Sequence, residues 1–461
     1  MEEIQTERFE YLISKYADSS FMYTEYPHKS FWSKEFGEEG IKEAFINVYT
    51  REQHSSSLLY VHIPFCSKQC YYCTCHTIIT KDYQRITNYL LTLFREIDLF
   101  HEFFGKNMIN PNIKEIHLGG GSPTILHEKE FDMLIEKIGS IADIRNLNEF
   151  SLEIDPREVD KEKMEYYSSK GINRISFGVQ DFDIGVQRAI NRVQPISLIE
   201  ELLTPDIRKC FPKGVNFDII CGLPNQTPDT IKETFRRIVK LSPERICFNY
   251  LHYVPHAAKH QKLMVDGRDG RPTRLPDLYE KKMLFWEALT VLGENGYLRM
   301  GYDHFAKAND DLYEAAQKKA MHWNALGVTP GRYSDVIGIG IHSYTTVDNY
   351  YSQNIYEMQE YEAQINQGKF PIYRGYVLND DDILRRDVIK TLRNFFSLDL
   401  RSIEEKYHIS FKDYFKQEYI QLAEYAQDGM LKLRDDRVAI TEIGKLFANL
   451  ICKTFDAFVN R

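Results

Sequence analysis

The chain has 461 residues, which is enough for two or three domains. A hydrophobic content of 43% is ordinary for a globular protein, and a net charge of −9 argues against nucleic-acid binding through a broad basic face. The N-terminus lacks the features of a secretory signal, and no run approaches the ~18 apolar residues of a membrane span, so we expect a cytoplasmic protein.

Residues 1–55 predict an N-terminal arm, residues 56–310 a central unit and residues 311–461 a C-terminal unit. In the central unit, six short apolar runs alternate with segments of helical periodicity. These runs are SLLYVHI (57–63), IKEIHL (113–118), EFSLEI (149–154), INRISF (172–177), VNFDII (215–220) and ICFNYLHY (246–253). The alternation predicts a parallel sheet, open or curled into a barrel, with functional residues at the carboxyl ends of the strands.

From about residue 310 the pattern becomes mainly helical. DDILRRDVIKTLRNFF and YFKQEYIQLAEYAQ have helical periodicity, and the following segment predicts a hairpin that turns at Arg434–Asp436 before a final helix. This order is typical of a winged-helix unit. Because the chain is acidic, packing or covering the site is a better interpretation of this unit than DNA binding.

Four of the eight cysteines lie within the stretch YVHIPFCSKQCYYCTC (60–75). Cys66, Cys70 and Cys73 have the spacing C-x3-C-x2-C, in a loop directly after the first predicted strand. Soft thiolates select zinc, copper(I) or iron–sulfur clusters. The spacing is compatible with zinc closed by Cys75 or His76, and with a 4Fe–4S cluster whose fourth iron stays open to a ligand. The remaining cysteines are predicted to be small buried hydrophobes: Cys210, Cys221, Cys247 and Cys452.

Glycines and acidic residues follow other predicted strands. Gly119, Gly120 and Gly121 form a turn after the second strand, where exposed amides suit a carboxylate or amino group, and an unliganded tight turn is the alternative. The turn is not a phosphate loop, since no G-K-[ST] follows. Glu153 ends the third strand and suits a hydroxyl or ammonium group. Asp218 lies within the fifth strand, where a buried charge needs a partner.

These motifs resemble the radical SAM (S-adenosylmethionine) enzymes, and within them the oxygen-independent coproporphyrinogen III oxidases, the HemN family. Besides the cysteine loop, the blocks that resemble this family, in its order, are GGGSPT, LEIDPREVD, GVQDFD, INRVQ, FDIICGLPNQT, GYDHFA and RRDVIK. The resemblance runs from about residue 15 to the C-terminus. It implies an α/β fold with a (βα)6 partial TIM-type barrel over residues 56–310, an N-terminal arm and a mainly helical, winged-helix-like C-terminal domain.

The resemblance implies that Cys66, Cys70 and Cys73 hold a 4Fe–4S cluster. It also implies that SAM binds the open iron and is cleaved by one-electron reduction to methionine and a 5′-deoxyadenosyl radical. Two SAM molecules are implied. The residues that match the first SAM site are Tyr60, Gly120, Glu153 and Tyr344. The residues that match the second are Tyr72, Gly121, Ser122, Gln180, Arg192, Asp218 and Leu251.

Four further residues are candidates for catalysis. Cys75 fits a role near the substrate or the second SAM, with an uninvolved thiol as the alternative. Tyr23 belongs to the arm motif MYTEYPH, which resembles a family motif. Asp303 and His304 belong to the GYDHFA block, where a structural pair is the alternative.

The arm departs from the family pattern R-Y-T-S-Y-P-T. Met22 replaces an arginine, Glu25 a serine and His28 a threonine. The resemblance implies that this arm meets the carboxylates of the substrate, which the planar fork of an arginine binds in a bidentate manner. A second block, close to H-R-N-F-Q-G-Y-T-T, has Trp323 in place of another arginine. The basic residues that remain as candidates to replace them are Lys29, Arg374 and Arg393.

The leading prediction is anaerobic decarboxylation of the propionates of coproporphyrinogen III to vinyl groups. The alternatives are a related enzyme with another substrate (a methyltransferase or an anaerobic haem-opening enzyme), a haem chaperone, and a DNA-binding protein with a structural metal. The chaperone group usually lacks the fourth cysteine and the Y-T-x-Y-P arm, and both are present here. We expect a tetrapyrrole substrate, a low-potential electron donor such as flavodoxin or ferredoxin, a monomer, and neither a nucleic-acid partner nor a membrane span.

Overall fold

The computed structural model of the protein describes residues 6–16, 25–52, 54–267 and 272–459. A twelve-stranded, mostly parallel sheet flanked by helices forms its centre, which confirms the predicted α/β class. The strands in chain order are β1 (Ser57–Ile63), β2 (Phe65–Cys66), β3 (Ile78–Ile79), β4 (Ile113–Gly120), β5 (Glu149–Ile154), β6 (Arg174–Gln180), β7 (Val215–Cys221), β8 (Arg245–Tyr250), β9 (Leu298–Met300), β10 (His304–Ala306), β11 (His322–Asn324), β12 (Gly327–Thr329), β13 (Asp335–Ile339), β14 (Tyr344–Val347), β15 (Tyr350–Asn354), β16 (Ile372–Val377), β17 (Ser397–Asp399), β18 (Leu431–Leu433) and β19 (Arg437–Ile440).

Helices cover the sheet and precede or follow it in the chain. They are α1 (Thr6–Lys15), α2 (Gly37–Tyr49), α3 (Tyr83–Lys106), α4 (Glu128–Ile138), α5 (Lys161–Ser169), α6 (Ile184–Ala189), α7 (Ile196–Leu202), α8 (Pro205–Cys210), α9 (Pro228–Leu241), α10 (Leu263–Asp266), α11 (Leu278–Glu294), α12 (Asp311–Gln317), α13 (Met358–Asn366), α14 (Asp380–Phe395), α15 (Leu400–Tyr407), α16 (Phe411–Tyr414), α17 (Lys416–Gln427) and α18 (Ala448–Lys453). None of the described helices combines the length and apolar character needed to cross a bilayer.

The six runs predicted as strands lie side by side within the parallel part of the sheet, in the order β1-β4-β5-β6-β7-β8. All seven residues of β1 are buried, as a continuous apolar run requires when both faces of a strand are covered. At least one helix separates each of these strands from the next. For example, α9 begins at a capping box on Thr227, with Pro228 at its first position. The predicted alternation of strands and helices is confirmed.

The sheet continues beyond residue 310, where the sequence analysis placed the end of the barrel. β13 pairs in parallel with β1, on the side of β1 opposite to β4, and β14, β15 and β16 extend this edge in antiparallel fashion. Without β13, the backbone groups on this side of β1 would lack strand partners. The sheet is therefore not confined to residues 56–310, although the division of the chain into folding units stays a prediction.

Alternate residues of the core strands point into the curled sheet and line one cavity of about 530 Å³, hereafter the main cavity. Tyr60 on β1, His117 on β4, Asp218 on β7, His304 on β10 and Tyr344 on β14 all lie on its wall. Strands that stand so far apart in the sheet can share a cavity only if the sheet curls. The structure thus confirms the predicted partial barrel.

A network of ion pairs closes the amino-terminal end of the barrel. Arg332 contacts three carboxylates, at 2.6 Å from Glu115, 3.2 Å from Glu149 and 2.6 Å from Asp311. Glu115 and Glu149 lie near the starts of β4 and β5, so the network seals the side of the barrel opposite to the predicted functional edge. Its further members are Arg174, Arg245 and Asp310.

The C-terminal segment has the element order expected of a winged-helix unit. Helix α14 leads into β17, three helices follow, and the three-stranded sheet has the order β17-β19-β18. The hairpin between β18 and β19 turns at residues 434–436, as predicted. Arg393 of α14 connects this unit to the barrel through an ion pair with Asp303.

Candidate active site

The loop that carries the four clustered cysteines is closed at its base by a short parallel ladder. β2 and β3 pair Phe65 with Ile78 and Cys66 with Ile79. Four backbone carbonyls inside the loop also accept hydrogen bonds from side chains outside its cysteine segment. These bonds run from Asn191 Nδ2 to Gln69 O (2.8 Å), from Gln261 Nε2 to Tyr72 O (2.9 Å), from His260 Nε2 to Cys73 O (2.7 Å) and from His62 Nε2 to His76 O (3.1 Å). These contacts fix the backbone on which the cysteine side chains stand.

Cys70 is buried, and its sulfur contacts two guanidinium groups. Arg192 Nη1 lies 3.4 Å and Arg157 Nη2 3.7 Å from Cys70 Sγ, and both arginines pair with Asp155. The thiolate is the form of cysteine that binds metal. Burial raises the pKa of Cys66 to about 12, so its thiolate needs a positively charged ligand such as iron.

The donor set fits the predicted 4Fe–4S cluster. Cys66, Cys70 and Cys73 offer three soft sulfur donors from one loop, and all three are free cysteines. In the described ranges, no three His, Cys, Asp or Glu side chains are grouped closely enough to hold a single metal ion. A 4Fe–4S cluster requires a different arrangement of ligands, because each thiolate binds a different iron atom. Cys75 is exposed and lies on the wall of the main cavity.

The glycine turn packs directly against the cysteine loop. Gly121 N donates to Ile63 O and Ser122 N to Phe65 O, both at 2.8 Å. Gly120 has φ +118°, which side chains disfavour, and its amide donates to Glu153 Oε2 at 3.0 Å. A Cβ atom on Gly121 would lie 2.6 Å from Phe65 O. Glycine is therefore required at these positions so that two backbone segments can approach each other.

We expect Gly121→Ala to lower the free energy of unfolding by about 1–3 kcal/mol, because the new methyl group meets backbone that cannot move aside. Chemical denaturation and iron content after anaerobic reconstitution measure the effect, and both should fall. The matched control is Gly105→Ala in α3, where a Cβ atom meets nothing within 4 Å. Equal behaviour of the two variants would contradict this account of the turn.

Glu153, at the end of β5, has two hydrogen-bond donors as partners. His117 Nε2 lies 3.0 Å from Glu153 Oε1, and Gly120 N donates to the other oxygen. Burial by itself raises the pKa of Glu153, but the hydrogen bond and charge of His117 outweigh burial and lower the pKa. Tyr60 stacks on His117 with ring centroids 5.8 Å apart. Tyr60, Gly120 and Glu153 thus form one wall of the main cavity.

Asp218, in the middle of β7, has only neutral hydrogen-bond partners. Ser176 Oγ and Asn216 Nδ2 each donate to its carboxylate at 2.8 Å. Burial raises the pKa of Asp218. No cation among the described residues forms an ion pair with this carboxylate, although the sequence predicted a partner for it. A positively charged group of a ligand, such as the ammonium of a methionine, would supply that partner.

The other residues predicted for the second SAM site lie beside the cysteine loop and do not line the main cavity. Gln180 is buried, with φ +67°, at an irregularity in the pairing of β6 with β7. Ser122 is buried directly after the glycine turn. Tyr72 packs against a separate apolar cluster that contains Leu251 and Met264. The second set of predicted residues is therefore divided between the cavity, where Asp218 lies, and the surroundings of the loop.

Tyr344 lies on β14 and lines the main cavity, and part of the N-terminal arm lines this cavity too. Lys29 Nζ donates to Tyr344 Oη at 2.5 Å, and Glu25 lines the same cavity. Tyr23 and Met22 lie outside the described residues, so the roles expected of them stay predictions.

Asp303 and His304 form a buried pair that is held from the C-terminal unit. Asp303 Oδ1 lies 2.7 Å from His304 Nδ1, and Arg393 Nη2 lies 3.1 Å from Asp303 Oδ2. Burial alone raises the pKa of Asp303, but Arg393 and His304 lower it to about 2. Trp323, which stands where the family pattern has an arginine, has its ring 4.6 Å from Arg393 Cζ. Since Arg393 is committed to Asp303, it is not available for a substrate, whereas His304 faces the cavity.

The sequence analysis missed several polar residues of the cavity wall. His117, Ser176, Asn216 and His342 were not singled out, and all of them line the cavity. The spacing of the missed strand residues along the sequence could have identified them as facing the cavity. His117 stands two residues after Glu115 and Asn216 two before Asp218, and residues two apart in a strand face the same side. His342 lies in the connection before β14, where no such period exists.

Two family models match the chain. The radical SAM superfamily matches residues 60–238, and the HemN C-terminal domain matches residues 378–447.

Curated relatives match over nearly the whole length. An oxygen-independent coproporphyrinogen III oxidase of Helicobacter pylori is 34% identical over 100% of this chain and 98% of its own. The enzyme of the same name from Escherichia coli K12 is 34% identical over 98% of this chain and 95% of its own. The solved structure of the E. coli coproporphyrinogen III oxidase HemN, described as a radical SAM enzyme, has a TM-score of 0.86 with 32% identity. That match covers 97% of this chain and 98% of the E. coli chain.

Proposed function

The chain belongs to the oxygen-independent coproporphyrinogen III oxidase family of the radical SAM superfamily, and we propose from this that it converts two propionates of coproporphyrinogen III to vinyl groups. The observation that carries the proposal is the meeting of three predicted elements at one place. The cysteine loop, the glycine turn and the acidic strand ends all adjoin the main cavity.

The residues assigned to the cofactors fit their proposed tasks. Cys66, Cys70 and Cys73 would hold the cluster, while Glu153 and Asp218 present carboxylates to the amino or hydroxyl groups of SAM. A bound cluster and SAM would supply the radical chemistry that removes a hydrogen atom from the β-carbon of a propionate. The chain itself would position the propionate, and His304 presents an imidazole to the cavity whose orientation Asp303 fixes. The carboxyl carbon leaves as carbon dioxide, and the surplus electron passes to an acceptor.

Anaerobic reconstitution with iron and sulfide, followed by SAM, dithionite and coproporphyrinogen III, tests the proposal. We expect 5′-deoxyadenosine together with a tetrapyrrole that has lost carbon dioxide and two hydrogen atoms at each of two propionates. A methylated product or an opened macrocycle would instead identify a relative with another substrate. Stable haem binding without SAM cleavage would identify a chaperone.

Cys75 is proposed to act in the cavity and not as a cluster ligand. We expect Cys75→Ala to retain the iron content and cluster absorption of the wild type, because three other cysteines supply the donors. Formation of the vinyl product should fall roughly 100-fold, as is usual when one proton-transfer group is removed. Iron analysis and product quantification measure the two effects separately. If Cys75→Ala loses as much iron as Cys70→Ala does, Cys75 is a cluster ligand and the assignment is wrong.

We also propose a flavodoxin or ferredoxin as the electron donor, a monomeric state and a cytoplasmic location. The donor follows from the need for a strongly reducing electron at the cluster. The location is supported by the eight cysteines, which are all free, as is usual where glutathione and thioredoxin keep thiols reduced.

A further inference from the structure

Two cations without carboxylate ion pairs lie near Tyr344, and one of them, Lys29, lines the main cavity. They are Lys29, from the arm, and Arg374, from β16, and neither forms an ion pair with a carboxylate among the described residues. Among the buried cations of the described residues, Arg174, Arg192, Arg245 and Arg393 form such pairs, whereas Lys282 donates to a backbone carbonyl. Partly buried cations that lack a counter-ion are a feature of anion-binding sites.

Lys29 is placed with its ammonium group at the cavity wall. Its Nζ donates to Tyr344 Oη at 2.5 Å and lies 4.9 Å from the centre of the Tyr344 ring. The nearby carboxylate of Glu25 is used otherwise, since its Oε1 accepts from the backbone N of Lys29 at 3.0 Å. Burial lowers the pKa of Lys29; the charge of Glu25 opposes this effect in part, and the charge of Arg374 adds to it. An anion bound at the ammonium group would oppose both effects.

Arg374 is joined to the same tyrosine through one intervening side chain. Its Nε donates to Gln353 Oε1 at 2.8 Å, and Gln353 Nε2 donates to Tyr344 Oη at 2.9 Å. The contact through Nε leaves the terminal nitrogens of the guanidinium without a hydrogen-bond partner among the described residues. Those nitrogens form the fork that binds a carboxylate in a bidentate manner.

The surroundings of the site include two stacked histidines. His342 and His76 line the cavity beside Lys29 and stack on each other with ring centroids 4.9 Å apart. Burial lowers the pKa of His342 to about 3, and His76, Lys29 and Arg374 contribute to this shift. Burial and the positive charges of Lys29 and Arg374 keep His342 neutral, so the positive charge of the site belongs to Lys29 and Arg374. The pattern is complementary to an anionic ligand.

We propose that Lys29 and Arg374 bind propionate carboxylates of the tetrapyrrole substrate, in place of the arginines that the family pattern has where this chain has Met22 and Trp323. The inference rests on the proposed function and names the groups that select its substrate. Lys29 stands on the arm, two residues after Pro27 of the motif, so a cation is retained on this segment although the motif arginine is lost. Arg374 supplies the planar fork and is connected to Tyr344 through Gln353.

The methionine carboxylate of SAM is the competing ligand, because Tyr344 matches the first SAM site. Separate binding measurements distinguish the two. With the reconstituted protein, equilibrium titration of coproporphyrin III, the stable oxidised form that keeps four carboxylates, reports on the substrate side. Its tetramethyl ester, which has no carboxylates, is the matched probe, and titration with SAM in the absence of porphyrin is the second arm.

We expect Lys29→Gln and Arg374→Gln each to weaken binding of coproporphyrin III about 10-fold, which corresponds to about 1.4 kcal/mol for each carboxylate contact. Binding of the tetramethyl ester and of SAM should stay at the wild-type level. In turnover, the KM for coproporphyrinogen III should rise much more than kcat falls. Lys34→Gln is the control, since Lys34 is an exposed cation five positions along the arm that does not line the cavity.

Two outcomes would overturn the inference. Wild-type affinity for coproporphyrin III in the Lys29→Gln/Arg374→Gln double variant would exclude the site. Loss of SAM binding with unchanged porphyrin binding would assign the cations to SAM. Failure of the proposed function is distinct from both, because a wild type that binds coproporphyrin III through Lys29 but forms no vinyl product would refute the reaction and not the carboxylate site.

Discussion

Replacing Cys70 by alanine is expected to abolish formation of 5′-deoxyadenosine. Cys70 is the most enclosed of the three proposed ligands, and its sulfur lies between the guanidinium groups of Arg157 and Arg192. Its loss removes one iron ligand and takes away the sulfur that both guanidinium groups contact. Iron and sulfide content, the visible absorption of the cluster and deoxyadenosine release under anaerobic conditions measure the effect. All three should fall to background.

Cys210→Ala is the matched control for Cys70→Ala. Cys210 ends α8, is partly exposed, and its thiol donates to the carbonyl of Asp206 at 3.5 Å. Its replacement should leave iron content and deoxyadenosine formation unchanged. Deoxyadenosine release that survives in Cys70→Ala, or zinc in place of iron in the anaerobically prepared wild type, would refute the cluster assignment.

Arg332→Ala should cause the largest loss of stability, about 3 kcal/mol in the free energy of unfolding. Arg332 pairs with Glu115, Glu149 and Asp311 at the base of the barrel. Its removal leaves these carboxylates without that cation in a place where water compensates poorly for the loss. Burial raises the pKa of Glu115 to about 7 even with Arg332 present. Because the folded pKa exceeds that of the unfolded chain, protonation of Glu115 favours the folded state below neutral pH, and the deficit should grow as the pH rises through 7.

Chemical denaturation at pH 6 and pH 8 tests this expectation. Arg51→Ala is the matched control, because Arg51 pairs with Asp348 at 2.9 Å while both side chains are largely exposed. Removal of an exposed ion pair lowers the free energy of unfolding by about 0–1 kcal/mol, and this loss should depend little on pH in this range. If the two arginine variants lose the same stability, or if the loss in Arg332→Ala is greater at pH 6, the base network does not stabilise the barrel as described.

Local sequence pattern determined much of the fold. The strands β1, β4, β5 and β7 begin at the residues that the apolar runs predicted, since a strand buried by helices needs continuous apolar sequence. The cysteine loop could be found because its ligands lie close together in one segment, Cys66 to Cys73. The β18–β19 hairpin was predictable for the same reason, as its turn residues are adjacent in the chain.

The sequence by itself thus determined the parallel strands, the cysteine loop and the family. Only the tertiary structure decided that β13 completes the sheet beside β1, that Arg332 reaches Glu115 across 217 positions, and that Lys29 meets Tyr344 across 315. Hydrophobic periodicity reports which face of an element is buried, but not which distant side chain lies opposite. The charges that close the barrel and those proposed to select its substrate come from segments far apart in the chain, so they become neighbours only when the sheet curls.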